Sequence, residues 1–308
     1  MVDNEVLRKA FLHSLGESGI ENVFLSLSKG KYDAIQRAHD SIHEFIYLIH
    51  FCLPSGGTTK WQRKSAYILY HYQAFYQAHR SYNEAMSGYY NTGYILLRSA
   101  LELMIRGAFW ECVAHKTFRD SAEVIKRASG MKVGNAKKTI LDWFSDIIEQ
   151  HPSIENELEE RSAAVFDKTA PLLTNRMLRK LVPDAKTIVE QLADWKLFHP
   201  IADPMPTVYD GLYADLSSDV HVIPDKTDIG RRLLYETDFL ETNIVVKELD
   251  RYVGTLHRLM DIGVVISLNV FQDWISKDDN VKGGLRGRIG RVEDLKLQHS
   301  LTRLMELV

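Results

Sequence analysis

Two cysteines in 308 residues, Cys52 and Cys112, are too few for a disulfide framework, and neither sits in a CxxC metal or redox motif. Basic residues are not in excess either. Lys and Arg total 38 against 41 Asp and Glu, giving a net charge of −3 and a pI near 6.5. That balance excludes binding to nucleic acid through a strong overall positive field, although a local basic patch stays open. Long apolar runs are missing as well: the most apolar stretch, 94–110, is interrupted by Arg98, Glu102 and Arg106 and falls short of the roughly 20 apolar residues of a membrane span. The first residues, MVDNEVLRKAFLHSLGES, carry no apolar core of the signal-peptide kind. Together these absences predict a cytoplasmic protein with no membrane partner. No Gly-x-Ser-x-Gly elbow and no Cys/His pairing supports nucleophilic catalysis.

What is present is helical periodicity, with few segments showing strand alternation. The composition, 45% hydrophobic and 26% charged, is that of a globular chain able to bury a large core. The expected fold is all-α, one multi-helix bundle. Its core is formed by 31–116 and 209–275, with 117–208 as a helical insertion or subdomain. The chain therefore divides into N-terminal helices with the first half of the bundle (1–116), the insertion (117–208), and the second half with a long helix and a C-terminal helix (209–308). The periodic segment 228–276 reads as one long amphipathic helix, with a break expected near Gly254 or Gly263. The stretch HPIADPMP (199–206) reads as an extended connection and KGGLRGRIG (282–290) as a flexible loop.

The segment YNTGYILLRSALELMIRGAFWECVAH (90–115) is apolar around most of its circumference, as in helices buried on several sides. Arg98, Glu102 and Arg106 nevertheless recur every four residues. At about 100° per residue each step advances by about 40°, so the three share one stripe. If the helix continues backwards, Asn91, Ser87, Glu84 and Arg80 fall near it. Unpaired buried charge is costly, so the stripe needs partners. It is either a salt-bridge ladder or a polar cleft in which Arg98 binds an anion and Glu102 orients it. In YDGLYADLSSDVH (209–221), Tyr213, Ser217 and His221 are spaced by four and line one helical face. A histidine beside an Arg and a Glu suits acid–base or anion chemistry, with a capping or core role as the alternative.

The pieces LLRSALEL (96–103) and LYADLSSDVH (212–221) together resemble a group of all-helical microbial proteins related to HEPN domains (higher eukaryotes and prokaryotes nucleotide-binding). The resemblance implies a helical bundle, often dimeric. It also implies either a metal-independent RNA-cutting protein of stress or antiviral defence, using Arg-x(4–6)-His at a dimer seam, or a relative that has lost catalysis and serves as a binding module. Arg37–His43 and Arg251–His257 fit that spacing, and the second lies on the long helix where such motifs tend to sit. The catalytic candidates are thus His221, Arg98, Glu102, Arg251 and His257. The candidates for holding an anion or nucleotide are Arg98, Arg106, Tyr213, Ser217, Arg286 and Arg288. Arg286 and Arg288 lie in a glycine-rich stretch that lacks the Lys-Ser/Thr ending of a P-loop.

His39 and His43 sit at i,i+4, a spacing able to hold a metal, with Asp40 adjacent. The His-Asp pair resembles part of the pattern of HD-type metal phosphohydrolases, but no upstream His and downstream Asp can be assigned, so no metal and no cofactor is expected. The Tyr- and His-rich stretch 66–94 reads as a helix–helix interface. The function expected is a non-enzymatic binding module of HEPN-like ancestry that partners RNA or a protein, as a homodimer. The alternative is the RNA-binding protein or ribonuclease.

Overall fold

A computed structural model describes residues 4–17, 19–53, 65–114, 184–220, 224–235 and 244–308. Among them the chain is all-α with no strand. In order they form α1 (Asn4–Glu17), α2 (Ile20–Lys29), α3 (Tyr32–Phe51), α4 (Ala66–Met86), α5 (Tyr90–Ala114) and α6 (Ala185–Asp194). A π-helical turn (Met205–Tyr213) then leads into α7 (Ala214–Val220). A short 3-10 turn (Pro224–Lys226) precedes α8 (Asp228–Tyr235). Then come α9 (Val246–Val270), α10 (Gln272–Lys277), α11 (Asp279–Arg286), α12 (Ile289–Asp294) and α13 (Gln298–Leu307).

The two apolar helices at the centre are α5 and α9. α3 places Ile35, Ala38, Ile42, Phe45 and Ile49 on one buried face at three- and four-residue spacing and packs against α9. α5 buries Tyr94, Leu97, Leu101, Met104, Ile105, Ala108 and Phe109 and is contacted by α4, α6, α7 and α9, which is why its sequence is apolar on most sides. α4 and α5 form an antiparallel hairpin. The chain reverses through Gly88, whose φ of 90° is a conformation that favours glycine. Glu111, near the end of α5, closes the hairpin's other end: its Oε2 accepts from Ser65 Oγ at 2.9 Å and from Tyr67 N at 3.0 Å, placing a carboxylate at the start of α4. Tyrosines seal the interfaces as the composition of 66–94 suggests. The Tyr67 hydroxyl meets Ser267 Oγ at 2.8 Å, and Tyr252 meets Ser81 at 2.6 Å.

α9 is long and apolar enough to cross a membrane by length and composition, yet 72% of its most apolar window is buried inside the bundle, the pattern of a core helix. It is continuous through Gly254 and Gly263. Among the described residues the expected single helix over 228–276 is instead three, α8, α9 and α10, with Phe271 between the last two and residues 244–245 preceding α9 outside any helix. Val245, at the N-cap, is extended (φ −86°, ψ 96°) and buried with Ile244, so their apolar side chains contribute to the helical pattern without being helical. Residues 282–290, expected as a loop, are largely helical. Asp278 caps α11 by accepting from Asn280 N and Val281 N, and Gly284 faces Phe51, whose Cδ1 a Cβ there would approach to 3.2 Å. The turn at 87–89 separates Arg80 and Glu84 from the α5 stripe; they pair with each other on α4 at 2.7 Å. Of the expected insertion, the described part includes α6 and the start of the π-helical turn, which runs across the expected boundary at 208, and α6 packs directly on α5; residues 115–183 lie outside the described residues.

Candidate functional site

The polar positions of α5 face the segment 205–235. Arg98 Nη2 donates to the Tyr213 hydroxyl at 3.0 Å, Arg98 Nε donates to Glu102 Oε1 at 3.2 Å, and Tyr213 in turn donates to Glu102 Oε1 at 3.2 Å. The guanidinium carbon lies 5.1 Å from the Tyr213 ring centroid, and Tyr209 stacks behind that ring at 5.2 Å. Tyr213 thus ties the α5 stripe to the end of the π-helical turn. Burial raises the Tyr213 pKa, so the phenol stays protonated as the donor to Glu102. Burial would lower the Arg98 pKa, but the Tyr213 hydrogen bond and the Glu102 carboxylate outweigh it and the net shift is upward. Arg98 and Glu102 keep 25% and 29% of their side-chain surface open.

One turn nearer the start of α5 the seam holds the most deeply buried charges, Asp219 and Arg231. Asp219, with no exposed side-chain surface, pairs with Arg231 at 2.5 Å and with Arg251 at 2.9 Å. Glu248 pairs with the same two arginines, at 3.3 and 2.9 Å. The Tyr94 ring lies near both guanidinium groups, its centroid 5.4 Å from that of Arg231 and 4.8 Å from that of Arg251. Asn91 completes the seam, donating Nδ2 to the Asp219 carbonyl at 2.8 Å and its backbone N–H to Asp228 Oδ1 at 2.9 Å. Burial raises the Asp228 pKa despite that N–H and the nearby Arg231 and Arg232 charges.

The structure brings together Arg98, Glu102 and Tyr213 among the sequence candidates, and places Arg251 in the buried network. Ser217 donates its hydroxyl to the Tyr213 carbonyl one turn earlier at 2.7 Å, a local backbone bond. Arg106 is half-buried two turns beyond Arg98. Arg251 and His257 do not converge. Six residues apart on α9, they point to different sides, and His257 Nε2 is held by the Leu295 carbonyl at 2.7 Å. Arg286 donates to the Val308 carbonyl oxygen at 2.9 and 2.6 Å, and Arg288 pairs with the buried Glu44. His221 lies outside the described residues. Both cysteines are buried and their pKa values raised by burial, which removes thiolate chemistry.

Sequence reasoning missed Asp219, Arg231 and Glu248 as the most deeply buried charges of the seam. Asp219 lay inside the motif already quoted. Arg231 had no signal, because a neighbouring Arg-Arg pair reads as solvated surface. Among described nitrogen donors able to hold a metal, His39, His43 and His79 cluster on α3 and α4. The chain matches no family model, no curated protein and no solved structure.

Proposed function

We propose that this chain is a non-enzymatic helical binding module of HEPN-like ancestry, cytoplasmic, that engages a second protein chain. A second copy of itself is the partner the HEPN resemblance implies. The observation that carries the reading is that the described catalytic candidates, Arg98, Glu102, Arg251 and His257, are each engaged by groups of the bundle itself. Their partners are side chains and carbonyls that hold helices together, which is what a brace requires. Support for a docking role comes from α1, exposed throughout residues 4–14 and displaying Val6, Leu7, Phe11 and Leu12, with Phe11 63% open and Phe24 of α2 73% open beside them in sequence. Buried free thiols accord with a reducing compartment.

One observation favours the ribonuclease alternative: Arg98 and Glu102 remain about a quarter exposed, on the seam formed with the helical segment that leads to His221. The test is twofold. Light scattering of the full chain at micromolar concentration is expected to give the mass of a dimer, and Leu7→Asp with Phe11→Asp the mass of a monomer. Labelled single-stranded RNA, incubated with the protein under chelator, is expected to stay intact. RNA cleavage that disappears in Arg98→Ala, His221→Ala or His257→Ala would replace the binding reading with the nuclease one.

A further inference from the structure

α3 and α4 bring three imidazoles together where the sequence spacing revealed only two. His39 and His43 are one turn apart on α3, and His79 reaches them from α4. One ligand nitrogen from each falls within a set no wider than 4.8 Å, and the Nε2 atoms of His39 and His43 are 3.3 Å apart. The ring centroids of His79 lie 6.0 Å from His39 and 5.9 Å from His43. Phe75 and Tyr82 pack their rings against this group, fixing its walls.

We infer that His39, His43 and His79 form a divalent transition-metal site of the zinc class. Zinc held at a Zn–N distance of about 2.0–2.1 Å in a tetrahedron requires neighbouring nitrogens about 3.3–3.4 Å apart; the two α3 nitrogens, within hydrogen-bond reach of each other, already stand at that separation, and the three-nitrogen set, up to 4.8 Å across, contracts onto the ion by side-chain rotation. The donor set is all imidazole nitrogen, which suits Zn2+, Co2+, Ni2+ or Cu2+ and not the oxygen-seeking Mg2+ or Ca2+. The surroundings already resemble a metal site's outer ring. His39 Nδ1 lies 3.5 Å from Asp40 Oδ1, which directs the opposite ring nitrogen, Nε2, toward His43. Asp40 is itself fixed by Gln36 Nε2 at 2.9 Å and by Arg291 Nη2 at 2.8 Å. A carboxylate that orients a ligating histidine, and is in turn held by hydrogen bonds, is the usual support of such sites. All three histidines are half-buried, so solvent can supply the fourth ligand. The bound ion would pin α3 to α4 independently of the seam on α5 and of what the protein binds.

The test uses tag-free full-length protein stripped with a chelator and titrated with Zn2+, then with Co2+ as an optical reporter. One equivalent of Zn2+ is expected to raise the melting temperature, reversed by chelator, and one equivalent of Co2+ to give the visible absorption of a tetrahedral site. His43→Ala and His79→Ala are expected to abolish both. His79→Gln serves where circular dichroism finds His79→Ala unfolded. Asp40→Ala is expected to weaken binding by about 10–100-fold, and His199→Ala, outside the cluster, to leave it unchanged. Sub-stoichiometric uptake by the wild type, or full uptake by folded His43 and His79 variants, overturns the assignment.

Discussion

Asp219 and Arg231 face each other at 2.5 Å with side chains 0% and 2% exposed, so this ion pair is shut away from water. Arg231 also meets Glu248 and Asp228, whereas Arg251, paired with Asp219 and Glu248, is 35% exposed. Removing one member of a buried pair strands its partner, at a cost of about 3–5 kcal/mol. Arg231→Met is therefore expected to lower the unfolding free energy by about that amount, and Arg251→Met by less, because water can reach the carboxylates it leaves. Urea unfolding of the two variants checks the order; equal losses contradict it.

Tyr213 binds both Arg98 and Glu102, but in a half-exposed setting. Tyr213→Phe keeps the ring over the guanidinium and removes only the hydroxyl, so a loss of about 0.5–1.5 kcal/mol is expected. A double-mutant cycle with Arg98→Ala should return a coupling of about 1 kcal/mol. A coupling near zero means that solvent substitutes fully for the contact.

His71 is fully buried, its ring 3.9 Å from that of Phe45 and 5.5 Å from that of Tyr67, and burial lowers its pKa from 6.5 to about 3. Between those values the unfolded chain binds a proton that the native chain refuses. Stability from this residue is complete above pH 6.5 and falls as the solution is acidified, by up to about 1.4 kcal/mol per pH unit. His71→Leu removes that term. Chemical denaturation at pH 6 and at pH 4.5 should find the variant's loss shallower than the wild type's, and parallel losses refute the assignment.

Two glycines of α9 separate packing from propensity. A Cβ on Gly263 would sit 2.9 Å from Phe45 Cε2 and 3.0 Å from Met104 Sδ, whereas one on Gly254 meets nothing within 4 Å. Gly263→Ala is expected to destabilise by about 1–3 kcal/mol through overpacking. Gly254→Ala, in an exposed helical position, is expected to stabilise by about 0.5–1 kcal/mol. Thermal unfolding shifts of opposite sign are the expected readout; a stabilising Gly263→Ala speaks against the close approach.

The helical class and the central place of α5 were legible because burial on several sides writes itself into an all-round apolar sequence. That Arg98 and Glu102 need partners was legible, since charges at one-turn spacing on such a helix require them; Tyr213 was named only as an anion-binding candidate on its own segment, and its meeting with Arg98 was not foreseen. Where periodicity misled, tertiary contacts had replaced it. Ile244 and Val245 extend the apolar rhythm of α9 although they are not helical, and glycines 283 and 284 disguised a helix whose cap, Asp278, lies just outside the quoted stretch. Arg231 and His79 were illegible as members of their clusters. Each meets partners on other helices, and no spacing within one helix encodes that meeting.

Asp261 belongs to α9, yet it receives the backbone N–H groups of His299 and Ser300 at 3.1 and 2.9 Å and the Ser300 hydroxyl at 2.5 Å, serving the start of α13 from outside that helix. The acceptor precedes its donors by nearly forty positions, so the first turn of α13 takes its cap from the core helix and not from its own N-cap, Leu297, which makes no side-chain capping bond. The core helix and α13 are therefore fastened by a contact that neither segment can make alone.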